Sequence, residues 1–136
     1  MPTTASFDYA ILRVVPRVER QEFINAGVVA FCLEKRYLGA RIHLDENRLR
    51  ALWPDADVEL AREHLEAVRR ICEGDVAAGP IAKLSQRERF HWITSPRSTI
   101  IQPSPIHTGV CDNPDGLLDR LAKQFLDAPV QNRRNS

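Results

Sequence analysis

A chain of 136 residues with a net charge of +1 has the size of one ordinary domain, and its charge gives no long-range attraction to nucleic acid. Its 43% apolar and 27% charged residues exclude a disordered or collagen-like chain. The start of the chain has no hydrophobic signal region, no apolar run is long enough to span a membrane, and the three cysteines form no Cys-x-x-Cys pair. We therefore expect a cytoplasmic protein without membrane segment, disulfide, metal or cofactor.

Three strands are predicted in the first third of the chain. The stretch DYAILRVV at 8–15 is apolar on both alternating faces apart from Arg13, which is typical of a central strand, and Pro16 is expected to end it. The apolar stretch FINAGVVAFCL at 23–33 predicts an antiparallel neighbour. The alternating stretch YLGARIHL at 37–44 predicts a third, half-exposed strand.

The apolar pattern then changes to the helical period. Asp45 is the predicted N-cap of a short helix. A long amphipathic helix is predicted from Asp57, and Gly74 has the place of a glycine just past its end. The long helix carries one apolar stripe of Val58, Ala61, Leu65, Val68, Ile71 and Cys72.

The last third of the chain predicts two more helices and a short strand. Ser85 and Glu88 have the spacing of a capping box, so a brief helix is expected before Pro96. The apolar pair at 100–101 predicts a strand that the following prolines keep short. Asn113 is expected to cap a last helix, with the next proline in its first turn.

These elements predict the fold class α+β, with an antiparallel sheet of about four strands and helices packed on one face. We expect a single domain at 8–127, an N-terminal extension at 1–7 and a flexible C-terminal tail at 128–136. The segment at 95–109 is expected to lie across an end or an edge of the sheet.

The charges are distributed unevenly along the chain. Residues 51–80 carry three Lys/Arg against seven Asp/Glu, whereas residues 81–111 carry four against one. The acidic excess falls on the long helix, and the basic excess lies around the segment SPRSTIIQPSPIHTG at 95–109. The sequence therefore suggests two docking surfaces of opposite charge.

Arg13 is the most informative charge, because a guanidinium in a buried strand is costly unless it has a partner. The sequence leaves two interpretations open, which are a binding role and an internal ion pair with Glu22 across the first hairpin. Asn25 interrupts the second strand with the same ambiguity, and Gly27 permits a bulge there.

The segment at 95–109 also allows two interpretations. Its arginine, hydroxyls and Gly109 amide suit an anion, and its prolines hold them stiffly. A catalytic triad of Ser98 or Ser104 with His107 and Asp112 is disfavoured, because no nucleophile elbow is present and serines near prolines commonly satisfy backbone amides. The candidate ligand-binding or partner-binding residues are Arg13, Arg17, Asn25, Arg97, Ser98, Thr99, Gln102, His107 and Thr108.

Several blocks together carry a family resemblance, namely LRVVPR, EFINAGVV, RFHWI and PRSTIIQPSPIHTG. With them, residues 8–126 resemble a bacterial family known as domain of unknown function 3037. The resemblance implies a small stand-alone cytoplasmic protein, often paired with a kinase-like protein of the HipA type, and implies no activity. Members commonly have Arg-Gly-Glu in the first turn, whereas Gln21 stands in place of the glycine here, which puts the turn geometry in doubt.

The leading hypothesis is a non-catalytic accessory domain that binds a protein partner, and the resemblance suggests a HipA-like kinase. A phosphate-binding or nucleotide-binding enzyme that uses the loop from PRST to HTG is the alternative, so whether the chain is an enzyme stays open. Nucleic-acid binding is a second alternative, and its affinity would fall steeply with added salt.

Overall fold

A five-stranded antiparallel sheet forms the centre of the molecule in a computed structural model that describes residues 4–96 and 99–126, the side chain of Val18 excepted. Its strands are β1 (Ala5–Arg17), β2 (Glu22–Cys32), β3 (Tyr37–Ile42), β4 (Ile101–Pro103) and β5 (His107–Cys111). The order β3-β2-β1 follows the chain. On the other side of β1, β5 pairs with its first half and β4 with its second half.

Four helices pack on this sheet, at α1 (Glu46–Leu52), α2 (Val58–Cys72), α3 (Gln86–Thr94) and α4 (Leu117–Phe125), with short 3-10 helices at Val18–Arg20, Val76–Ala78 and Pro80–Lys83. The predicted caps at Asp45 and Ser85 are confirmed, and Asp57 caps α2. Asp45 accepts from the Arg48 amide at 3.1 Å, and Asp57 accepts from the Leu60 amide at 3.0 Å. Both bonds of the capping box at Ser85 are present as well.

The two faces of the sheet carry separate hydrophobic cores, because successive strand residues point to opposite sides. On the first face, which we call the α2 face, Leu12 and Val14 of β1 pack with Leu49, Leu65 and Phe90 of the first three helices. All six residues of the predicted apolar stripe of α2 belong to this core or pack against it.

On the second face, which we call the α4 face, Phe7 and Ile11 of β1 pack with Leu117, Leu121 and Leu126. The fold class is confirmed as α+β with an antiparallel sheet. The expectation that the helices share one face is wrong, since α4 covers the other. The reason lies in β1 itself, which is apolar on both sides and therefore needs a cover on both.

Three element boundaries also differ from the sequence prediction. The strand β1 begins at Ala5, so part of the expected N-terminal extension belongs to the sheet. It continues past Pro16, where a register shift between Val14 and Arg17 accommodates the proline. The last helix begins after Asn113, whose side chain instead accepts from the Asp115 amide in a turn. The expected tail lies outside the described residues.

Candidate functional site

Three polar candidates lie in one row across the sheet. Arg13 of β1 is directly opposite Asn25 of β2 and directly opposite Gln102 of β4. Residues that face each other in an antiparallel pair point to the same side of the sheet. The register therefore brings together side chains that are far apart in the sequence, and it places them on the α4 face.

Among the described residues, the guanidinium of Arg13 has an aromatic neighbour and no ion pair. Its Cζ lies 4.3 Å from the centre of the Phe23 ring, a distance at which a cation is attracted to the ring face. Its Nε is buried, and no described group accepts a hydrogen bond from it. The predicted ion pair with Glu22 is wrong, because that carboxylate accepts from Arg20 at 2.8 Å.

The two amide side chains that flank Arg13 in this row are each held by a hydrogen bond. Asn25 donates through Nδ2 to the carbonyl of Phe125 at 3.1 Å, which ties β2 to the end of α4. Gln102 donates through Nε2 to the carbonyl of Thr99 at 3.0 Å. Because both side chains are held, they form a preorganised frame around Arg13. We call Arg13, Phe23, Asn25 and Gln102 the Arg13 surface.

A cluster of rings lies on the same face further along β1. His107 is opposite Tyr9, and their ring centres are 5.3 Å apart. Tyr9 also contacts Phe125 at 5.8 Å. Tyr9 is four residues from Arg13, which corresponds to about 13 Å along a strand, so His107 adjoins the Arg13 surface without contacting Arg13.

The remaining described candidates lie elsewhere. Arg17 stacks over the ring of Trp53 at 4.5 Å and donates to Glu19. Thr99 donates through Oγ1 to the carbonyl of Ile101 and lines a small apolar pocket on the α2 face. Thr108 also points to the α2 face, where its hydroxyl donates to Asp8 at 3.0 Å. The candidates Arg97 and Ser98 lie outside the described residues.

The described residues of the disfavoured catalytic triad have other partners. Ser104 is buried, and its Oγ accepts from the Ile11 amide and donates to the Pro105 carbonyl, both at 2.8 Å. Asp112 accepts from the hydroxyl of Thr4. The structure thus confirms that Ser104 satisfies a backbone amide. Among residues 4–96 and 99–126, no three His, Cys, Asp or Glu side chains are close enough to hold a metal ion.

The acidic excess of α2 is largely neutralised by its own arginines. Arg69 pairs with Glu66 and Glu73, and Arg62 pairs with Glu59 of the same helix. The hydrogen bond from Arg69 lowers the pKa of Glu66. Because these charges cancel within a few ångströms, the helix surface is a weaker electrostatic docking site than the sequence suggested.

The sequence analysis missed a groove at the corner of the sheet where β1 begins. The groove lies on the α2 face, between the N-terminal end of β1 and helix α3, and its volume is about 360 Å³. Its polar lining is Ser6, Asp8, Arg87, His91 and Thr94, and its apolar lining is Phe31, Leu33, Phe90 and Ile106. The available signal was the spacing of Arg87 and His91, four apart on one side of a predicted helix.

The chain belongs to the family described as Protein of unknown function (DUF3037), whose model matches residues 9–126. The family assignment suggested by the sequence blocks is thereby confirmed. No curated protein and no solved structure matches the chain. None of the described helices is long and apolar enough to cross a membrane.

Proposed function

We propose that this chain is a non-catalytic accessory domain that binds a protein partner through the Arg13 surface. The observation that carries the proposal is Arg13 itself, a guanidinium stacked on Phe23 whose buried Nε has no acceptor among the described residues. Removing a polar group from water without a partner costs free energy. Arg13 as a whole is only partly buried, so the carboxylate or carbonyl of a partner can approach the rest of its guanidinium and offset this cost on binding.

The composition of the surface supports the same proposal. Phe23 is 43% exposed although its ring is large and apolar. Arginine and aromatic side chains next to each other are the residues that most often dominate the energy of protein interfaces. The hydrogen bonds of Asn25 and Gln102 hold the frame before the partner arrives, so little side-chain entropy is lost on binding.

The family membership suggests what the partner is. The resemblance of the sequence blocks implies association with a HipA-like kinase, and we propose such a kinase as the protein that contacts the Arg13 surface. The domain would then act in the bacterial cytoplasm as a regulatory or positioning subunit and would contribute no catalytic group.

Calorimetric titration of the purified chain with a HipA-like kinase from the same organism tests the proposal. Arg13→Ala and Phe23→Ala are each expected to weaken binding about 30-fold, which corresponds to about 2 kcal/mol. Arg17→Ala is the matched control, because Arg17 also stacks on an aromatic ring but lies outside the Arg13 surface. Its affinity should stay within about threefold of wild type.

The unpartnered Nε of Arg13 also favours a second candidate, a phosphate-bearing ligand. Thermal unfolding in the presence of inorganic phosphate or ATP distinguishes this ligand proposal from the partner proposal. A ligand that raises the Tm of wild type but not of Arg13→Ala, together with no binding to the kinase, would replace the partner proposal by the ligand proposal. Equal losses of affinity in Arg13→Ala and Arg17→Ala would reject the Arg13 surface as the contact.

A further inference from the structure

The outer edge of β5 is unpaired among the described residues, since β5 pairs with β1 alone. Ile11 of β1 directs both its amide and its carbonyl toward Ser104, on the side of β1 that also holds β5. Alternate residues of a strand direct their backbone groups to the same side. Tyr9, Phe7 and Ala5 therefore bond to β5. Thr108 and Val110, which alternate with the partners of these residues along β5, direct their backbone groups outward.

Within the part of the chain that the structure describes, this edge shows none of the features that usually block pairing with another strand. Edge strands are commonly protected by a lysine, a proline, a bulge or a covering helix. The five residues of β5 contain no lysine or proline, and their pairing with β1 shows no register shift. At the other edge of the sheet, α2 and α4 both pack against β3, and Arg41 pairs with Asp119.

The side chains next to the free edge are apolar and exposed. On the α2 face, Val110 is 67% exposed and Ile106 is 50% exposed. Leu33, at the end of β2, is 56% exposed on the same corner and lines the groove beside α3 together with Ile106. A strand added to β5 would cover part of Val110 and Ile106 and would continue the apolar surface of the sheet.

The charges near the edge indicate what kind of strand would fit. Arg87 lines the groove, and burial raises the pKa of the Cys111 thiol at the end of β5, with Cys32 and Asp112 adding to the rise and Arg120 and Lys35 opposing it. The neighbouring Asp8 already accepts a bond from a hydroxyl. The cations Arg87, Arg120 and Lys35 thus outnumber the carboxylates Asp8 and Asp112 near this edge, and an acidic segment would complement this excess better than a second copy, which carries the same excess.

We propose that the β5 edge binds an extended acidic segment of a partner protein as a sixth strand. Backbone hydrogen bonds to Thr108 and Val110 would supply the affinity, as in other cases of strand addition. Apolar residues of the segment at every second position would contact Ile106 and Val110, and its carboxylates would lie toward the cations around the groove. This surface is separate from the Arg13 surface and does not depend on it.

Selection from a random-peptide display library against the purified full chain tests the proposal. The selected peptides are expected to alternate apolar residues with Asp or Glu, and the synthetic peptide should slow hydrogen exchange at the amides of Thr108 and Val110. Val110→Pro should weaken peptide binding more than about tenfold, because proline removes the outward amide without removing a bond to β1. Val110→Thr keeps that amide and should lose less, and Arg13→Ala should bind as wild type does.

Four results would overturn the proposal. They are a selection that returns no peptide, a selected peptide whose affinity is unchanged in Val110→Pro, amides of Thr108 and Val110 that are already protected in the free full chain, and self-association that Val110→Pro abolishes. The last two would identify another segment of this chain or a second copy as the occupant of the edge. The circular dichroism spectrum of Val110→Pro must match that of wild type. Val110→Glu serves as a second variant, which keeps the amide and should weaken binding because it repels an acidic segment.

Discussion

Gln21 adopts a positive φ of 57° in the turn between β1 and β2. Its Cβ makes this left-handed region unfavourable, and the cost for a non-glycine residue is about 1–2 kcal/mol. The sequence analysis doubted that a residue other than glycine would keep the turn geometry of the family. The structure shows that Gln21 adopts a conformation that glycine favours, at an energetic cost.

Replacing this residue by glycine should therefore stabilise the protein. Gln21→Gly removes the left-handed penalty but adds about 0.5–1 kcal/mol of unfolded-state entropy, so we expect a net gain of about 0.5–1 kcal/mol. Urea unfolding followed by circular dichroism measures the change. Gln21→Ala is the control, since it removes the polar side chain and keeps the Cβ. A stabilisation of equal size in Gln21→Ala would show that strain at φ is not the cause.

At the scale of elements, the C-terminus of α2 depends on a side chain from another helix. Arg89 of α3 donates through Nη1 to the carbonyls of Ile71 and Cys72 at 2.8 and 2.9 Å, and through Nε to Leu84 at 3.0 Å. The last carbonyls of a helix have no partner within the helix, and a cation there is favoured by the helix dipole. Arg89 thus joins α2 to α3.

Loss of this connection should destabilise the fold. Arg89→Leu is expected to lower the free energy of unfolding by about 2–3 kcal/mol, because hydrogen bonds that involve a charged group contribute about 1.5–3 kcal/mol. Arg87→Leu is the matched control, since this neighbouring arginine of α3 has no ion pair among the described residues, and its change should stay within about 0.5 kcal/mol. Chemical denaturation at neutral pH gives both values, and similar losses in the two variants would reject the capping role of Arg89.

The pairing of β5 with β1 depends on the small size of one residue. A Cβ at Gly109 would lie 2.8 and 2.9 Å from two ring atoms of Phe7, which is opposite it on the α4 face. The sequence analysis read this glycine as an exposed amide for an anion. The structure gives it a packing role, because the ring of Phe7 occupies the space that a side chain would need.

Gly109→Ala should therefore displace the ring and cost about 1–3 kcal/mol, the usual range for overpacking. In a double-mutant cycle, Phe7→Leu should recover part of this loss, because the shorter side chain frees the space. The free energies of unfolding of the two single variants and the double variant measure the coupling. Strictly additive losses would mean that the ring of Phe7 does not restrict residue 109.

For the whole molecule, the sequence predicted well what is determined locally. The caps at Asp45 and Ser85, and the apolar stripe of α2, depend on neighbours within a few residues. The strand β5 and the covering of the second face by α4 depend instead on pairing across about a hundred residues, which no periodicity encodes. The neighbours of Arg13 were missed for the same reason. Only the register of three strands places Phe23 and Gln102 beside it.

The ion pairs of the molecule make its stability depend on pH in a defined direction. The hydrogen bond from Arg70 lowers the pKa of Asp75 below its ordinary value of 3.8, and the hydrogen bond from Arg69 lowers that of Glu66 below 4.5. A carboxyl whose pKa is lower in the folded state contributes stability above its unfolded pKa and loses it as the pH falls through the folded value.

The Tm should therefore stay level from about pH 7 to pH 5 and fall below about pH 4. The double variant Glu66→Gln with Asp75→Asn is expected to have a lower Tm at neutral pH and a shallower decline in acid, because its amides do not titrate. Both carboxylates are exposed, so the change in slope should be small and should shrink further in about 1 M salt, where the Debye length is about 3 Å. Thermal unfolding across this pH range measures it, and an acid decline as steep as that of wild type would show that these two pairs do not link stability to protonation.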